Sequence, residues 1–399
     1  MNAAIRSCSI EAVKRGMSVA GIYGGYSGLI ERSPVFRDLS FLSGRDVRAE
    51  GGCVIGTSKA NPARDRDSLR NTVETLAENG VDCLIAIGGD DTLYATAAVC
   101  GYAARQGCRL SCAFIPKTID NDIPLPDGVR TLGFETAREE GARIVASLIE
   151  DAKTEGKWFL VISMGMKTGH LALGIGKAAQ ASLTLIPEEF AGLGDDTFEA
   201  VCETLAGSVI KLRNAGYDYG LAVLSEGLFH SFVDPAETGG LERDGYGSVR
   251  LSEIDIGGMI KRALGERLAS YGLAPAIVTK RLGYDVRCAS PCPYDAEYAR
   301  DLGYGAVDFL ASGGTGAIVS IQNGALAPVP FRELIDPMTR WVKTRYVNPS
   351  SLSFRIAREY MVRLESGDLE DKFRLCRLAR VAGLAPDRFL DEFRLAVLP

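Results

Sequence analysis

The feature that most constrains this chain is a repeated pairing of a short apolar run with a longer helical stretch. Val81 to Ile87 reads as a buried strand ending in Gly88-Gly89. Thr92 to Arg105 then reads as a helix whose apolar face is set by Leu93, Ala97, Ala98 and Tyr102. Ser111 to Ile115, Trp158 to Met164, Ser182 to Ile186, Tyr219 to Leu224 and Ala276 to Lys280 are further strands. Phe134 to Asp151, Thr168 to Ala181 and Asp196 to Asn214 are helices between them. A continuous apolar run suits a strand covered on both faces, so the fold class is α/β with mainly parallel sheets. Such sheets bind ligands at the carboxyl ends of their strands.

Thr315 to Phe331 reads as a hairpin turning at Asn323-Gly324, and Thr238 to Gly247 as a Gly-rich surface loop. The segment from Pro349 onward reads as a charged helical tail. A length of 399 residues suits two or three compact units. A net charge of −6 argues against nucleic-acid binding by bulk charge. No apolar run is long enough to span a bilayer, and Met1 to Arg6 do not lead into a signal core, so a cytoplasmic location is expected. The ten cysteines include two CxxxC spacings, Cys108/Cys112 and Cys288/Cys292, but histidine is confined to His170 and His230. Reduced, mostly buried thiols are therefore expected rather than zinc ligands.

Two motifs suit phosphate chemistry. Gly88-Gly89-Asp90-Asp91-Thr92 joins a strand to a helix, where glycine lets phosphate oxygens approach the backbone and the helix start offers unpaired N–H groups. A carboxylate beside a phosphate has a reason if Mg²⁺ lies between them, although an acidic helix cap is the blander account. Pro116-Lys117-Thr118-Ile119-Asp120-Asn121-Asp122 follows the next strand. It reads as a polar turn with Asx groups, or as a set of carboxylates, hydroxyl and lysine for phosphoryl transfer.

GGDDT followed by PKTIDND, about one βαβ unit apart, resembles the phosphofructokinase family. Met164-Gly165 with Gly169, Ser225-Glu226-Gly227, and Leu282-Gly283-Tyr284-Asp285-Val286-Arg287 running into Pro293-Tyr294-Asp295 resemble its later motifs in the same order. The resemblance implies two Rossmann-like three-layer α/β/α domains. Residues 1–133 with 288–337 would form the phosphate-donor domain, 134–287 the fructose 6-phosphate domain, and 338–399 a helical tail packing on the body. It implies Asp120 as the general base for the sugar 1-hydroxyl and Asp90 as the Mg²⁺-binding carboxylate. Lys117 and Asp91 would act on the donor, with Gly88, Gly89 and Thr92 around its phosphates. Thr118, Ile119, Asp122, Met164, Gly165, Met166, Glu226, Tyr284 and Arg287 would hold fructose 6-phosphate. Lys157 stands where the family usually has an arginine reaching a neighbouring subunit's sugar phosphate, so a homodimer or homotetramer with shared sites is implied.

ATP-using members of the family have glycine where this chain has Asp91, and usually glycine where it has Lys117. An aspartate fills the space of an α-phosphate and repels it. Like unit charges at ~4 Å cost on the order of 4 kcal/mol at an effective dielectric near 20. Lys117 adds a point charge at the departing phosphate. Pyrophosphate is the donor that this resemblance implies.

The chain departs from the family pattern in two places. Met166 replaces the arginine of MGR and cannot donate a hydrogen bond, and Lys167 beside it points elsewhere if neighbouring side chains diverge. The family's opening strand and Gly-rich loop are not seen before Met1-Asn2-Ala3-Ala4-Ile5-Arg6, so weak activity with two separable causes is expected. The alternatives are a non-catalytic homologue that binds sugar phosphates or pairs with an active subunit, and a kinase for another acceptor.

Overall fold

The structure, a computed structural model, describes residues 1–40, 50–232 and 254–397. The described residues form two compact units. The first holds Met1–Ala137 with Arg287–Arg345, and the second holds 138–232, 254–286 and the chain from Tyr346 onward.

In the first unit one sheet runs in the order Val329–Pro330, Ala317–Ile318, Ser111–Pro116, Cys83–Gly88. Its last three strands are parallel, and Val329–Pro330 is antiparallel to its neighbour. The period-two geometry of a strand sends successive side chains to opposite faces. Cys112 and Phe114 therefore join one core cluster with Val73, Leu76, Leu93 and Val99 of the helices Arg66–Glu78 and Asp90–Arg105. Ala113 and Ile115 join another with Ala4, Leu302 and Ala306 of the helices Asn2–Lys14 and Pro293–Ala311. The result is three layers, with each fully buried Leu or Phe contributing roughly 1.5–3 kcal/mol. Cys83–Gly88 is the terminal strand among the described residues, and its burial alternates from an exposed Cys83. A separate ribbon pairs Ala20–Ile22 with Phe36–Asp38.

The second unit has a parallel sheet in the order Leu183–Leu185, Gly220–Ser225, Lys157–Ser163, Ala276–Leu282. Gly220–Ser225 is buried throughout, as a central strand covered on both faces must be. Ala276–Leu282, at the edge, alternates instead. The helices His170–Ala179, Thr197–Asn214 and Ile256–Ser270 accompany this sheet. The charged tail forms the helices Leu352–Glu359, Ser366–Glu370, Lys372–Val381 and Pro386–Glu392.

The expected α/β class with parallel sheets is what the chain forms. The hairpin turns at Asn323-Gly324, both at positive φ, between Ile321–Gln322 and Ala325–Leu326. The Thr238 to Gly247 loop lies outside the described residues. Two expectations are corrected. The helix after GGDDT buries Leu93, Ala95, Thr96, Val99 and Ala103, while Ala97, Ala98 and Tyr102 are only partly buried. Thr96 can face inward because its hydroxyl bonds Thr92 O at 2.6 Å and Tyr26 Oη at 2.8 Å. The cysteines are all free, but Cys83, Cys288 and Cys376 are exposed, so the mostly buried set was too general. Among the described residues no helix is long and apolar enough to cross a membrane.

Candidate active-site segments

In the first unit, Cys83–Gly88 and Ser111–Pro116 pair in register, so Gly88 lies opposite Pro116. The N–H of Lys117 then donates to Gly88 O at 2.7 Å. Both phosphate-type motifs leave the sheet at one carboxyl edge. A Cβ on Gly88 would come within 2.4 Å of Thr92 Oγ1, so only glycine allows this close turn. Gly89 caps the helix Asp90–Arg105, and its Cβ position lies 3.9 Å from Thr118 Cβ. Asp90 and Asp91 fill the first helical turn, and Asp90 Oδ1 accepts the Asp91 N–H at 2.9 Å.

The second motif is tightly braced. Asp120 N–H donates to Thr118 Oγ1 at 3.1 Å. Asn121 adopts φ 55°, a left-handed conformation that asparagine tolerates better than most residues. Thr131 fixes the turn by donating its N–H to Asn121 Oδ1 at 3.1 Å and its hydroxyl to Thr118 O at 2.7 Å. Ile119 and Asp122 are buried within it. Burial lowers the Lys117 ammonium below the ordinary lysine value, and the cation of Arg287 adds to this. Asp120 and Asp295 oppose the shift. Lys117 thus feels the charges of both Asp120 and Arg287. Lys117 is partly buried and Arg287 exposed, and an incoming polyanion favours the charged form of both.

In the second unit, Ser163 pairs with both Ser225 and Leu282, so three strands end together. Met164 follows, its N–H bonded to Leu282 O at 3.0 Å. Gly165 has φ 146°, where a side chain would be strained. Its N–H donates to Glu226 Oε1 at 3.1 Å. Glu226 Oε2 accepts from Arg281 Nη2 at 2.9 Å. Burial raises the Glu226 pKa, while the Gly165 N–H and Arg281 counter it. Met166 is partly buried, Lys167 exposed, and Tyr284 is 67% exposed. Lys157 lies at the opposite, amino end of its strand, paired with Asp151 and Glu155 at 2.8 Å each. Those two hydrogen bonds raise its pKa.

Sequence reasoning missed Arg281 and Arg345, which act over long separations, and gave Asp295 no role of its own. Asp295 accepts from Gly133 N and Thr136 N at 2.9 and 2.7 Å, satisfying the start of the helix Phe134–Glu155. Among the described residues no cluster of three or more His, Cys, Asp or Glu side chains could hold a metal by itself. Asp90, in the first turn of the helix after Gly88-Gly89, offers one carboxylate, and Mg²⁺ is usually bound by one or two carboxylates together with substrate phosphates.

The chain belongs to the phosphofructokinase family, whose profile matches residues 1–310. It is 40% identical to the pyrophosphate–fructose 6-phosphate 1-phosphotransferase of Thermotoga maritima, over 98% of this chain and 94% of that protein. It is 39% identical to the Naegleria fowleri protein of the same name, over 100% of this chain and 93% of that one. The solved pyrophosphate-dependent phosphofructokinase from Nitrosospira multiformis shares the fold, with a TM-score of 0.66 at 17% identity over 90% of this chain and 86% of that one.

Proposed function

We propose that this chain catalyses reversible phosphoryl transfer between pyrophosphate and the 1-hydroxyl of fructose 6-phosphate, with Asp120 as the general base. Asp120 takes the hydroxyl proton as the sugar oxygen bonds to the near phosphorus. The bridging P–O bond breaks, and inorganic phosphate leaves with the electron pair. Lys117 neutralises charge on that departing phosphate. Gly88, Gly89 and Thr92 offer the tight turn and helix start for phosphate oxygens. Asp91 excludes a nucleoside triphosphate by bulk and charge. Asp90 would hold Mg²⁺, which would supply charge neutralisation for the transfer when bound.

Thr118, Ile119, Asp122, Met164, Gly165, Met166, Glu226, Tyr284 and Arg287 hold the sugar phosphate. Lys157, held by its acidic neighbours at the far strand end from Glu226 in its own unit, serves a neighbouring subunit in a homo-oligomer. The observation that carries the reading is the bond from Lys117 N–H to Gly88 O, which brings the helix start at Asp90-Asp91 and the turn bearing Asp120 to one carboxyl edge of the sheet. Relatives bearing the phosphotransferase name at 39–40% identity support it.

The test is an acceptor panel. Purified protein with pyrophosphate and Mg²⁺ should form fructose 1,6-bisphosphate from fructose 6-phosphate, and no phosphorylated product from fructose or glucose 6-phosphate. Equal turnover of another acceptor, or no turnover of fructose 6-phosphate, contradicts the proposal.

A further inference from the structure

We infer that Arg345 is a positioning residue for the Asp120 carboxylate, an inference that rests on Asp120 being the base. Arg345 is 224 residues from Asn121 in sequence, yet its guanidinium grips the turn immediately after Asp120. Nε and Nη2 donate to Asn121 O at 3.1 and 2.9 Å, and Nη2 also donates to Asn121 Oδ1 at 2.5 Å. Nη1 donates to Val129 O at 2.7 Å and Leu125 O at 3.3 Å. The Arg345 N–H donates to Asp122 O at 2.7 Å. One side chain therefore ties three carbonyls of the segment 121–129, and its own backbone ties a fourth.

This geometry calls for a planar fork. Lysine carries its donors on a single nitrogen and cannot serve carbonyls that diverge in this way. The clamp also acts at a strained point, since Asn121 sits at φ 55°. Asp120 is held on its other side by the bond from its N–H to Thr118 Oγ1. If the Asn121 peptide relaxes, the Asp120 carboxylate swings with it. A displacement of about 1 Å can cost on the order of 10²-fold in rate. Burial draws the guanidinium below the ordinary arginine value, and Asp122, Asp127 and Tyr298 work against that shift, so the cation is housed within the unit.

The experiment compares kcat, KM and melting temperature for the wild-type protein, R345K, R345A, D120N and the double variant D120N/R345K. The expected result is a roughly 10²-fold lower kcat for folded R345K, with KM for both substrates changed by no more than about threefold. Guanidinium chloride at millimolar concentration should restore part of the kcat of R345A, and sodium chloride at equal concentration should not. D120N/R345K should be no slower than D120N, because Arg345 acts through Asp120. Wild-type kcat in R345K, equal effects of the two salts, or additive losses in the double variant each overturn the inference. So does failure of both Arg345 variants to fold, which assigns the residue to the fold alone. D120N at wild-type turnover overturns the base reading and this link with it. An inactive D120N beside a fully active R345K overturns this inference alone.

Discussion

The N–H of Lys117 donates to the carbonyl of Gly88 at 2.7 Å, so two motifs separated by a whole helix are hinged on one backbone bond. Parallel pairing of Cys83–Gly88 with Ser111–Pro116 makes that bond unavoidable, because the strands end in register. Glycine at 88 then admits Thr92, and the helix start at Asp90 follows. Lys117 is partly buried, and its burial, aided by the cation of Arg287, lowers its ammonium below the ordinary lysine value, a shift that a phosphate anion would counter.

Replacement of Asp120 by Asn should lower kcat by about 10²–10⁴-fold, because an amide cannot accept the hydroxyl proton. The turn is built from Thr118, Asn121 and Thr131, so the melting temperature should stay close to wild type. Steady-state kinetics together with a thermal scan check both halves. A variant within a few-fold of wild type would remove Asp120 from the chemistry.

Met166→Arg should raise turnover with little change in melting temperature. Met166 is only partly buried, so the exchange spares the core. One added transition-state donor is worth up to about 10²–10³-fold where no other cation serves. Arg281 already reaches this segment through Glu226, which also holds the Gly165 N–H. The measurement is kcat for M166R, R281A and the pair. If M166R gains turnover only in the R281A background, Arg281 supplies the charge that Met166 lacks.

The placement of GGDDT and PKTIDND at strand ends was legible because each is a short contiguous segment that follows an apolar run. The strand and helix order was legible for a similar reason, since buried parallel strands are written as continuous apolar runs. Arg345 and Arg281 were not legible, because their roles depend on partners 224 and 55 residues away and nothing local marks them. The helix Asp90–Arg105 was placed correctly but its inner face was misread. Counting apolar side chains overlooked Thr96, which is buried once Thr92 O and Tyr26 satisfy its hydroxyl.

Glu203→Gln should make stability less sensitive to pH. Glu203 is buried in the helix Thr197–Asn214 and accepts the Leu395 N–H at 2.8 Å. Burial pushes its carboxyl up to about 7, against the pull of the Leu395 and Ala396 amides and Arg394. The folded protein therefore binds the proton more tightly than the unfolded chain, whose glutamate titrates near ~4.3. Below that value the two proteins should melt alike. As pH rises from about 4.3 through about 7, wild type should lose stability, by roughly 3–4 kcal/mol at most, that the variant keeps. Thermal scans from acid to mildly alkaline pH measure the difference. A gap that is constant or reversed across that window would contradict the assignment.

The most direct test is a side-by-side measurement of kcat/KM for pyrophosphate and for ATP, with saturating fructose 6-phosphate and Mg²⁺. On this account Asp91, in the first helical turn, excludes a nucleoside triphosphate by bulk and charge, while Lys117, at the neighbouring strand end, serves the departing phosphate. The account predicts efficiency with pyrophosphate at least about 10²-fold above that with ATP. Equal or higher efficiency with ATP would contradict it.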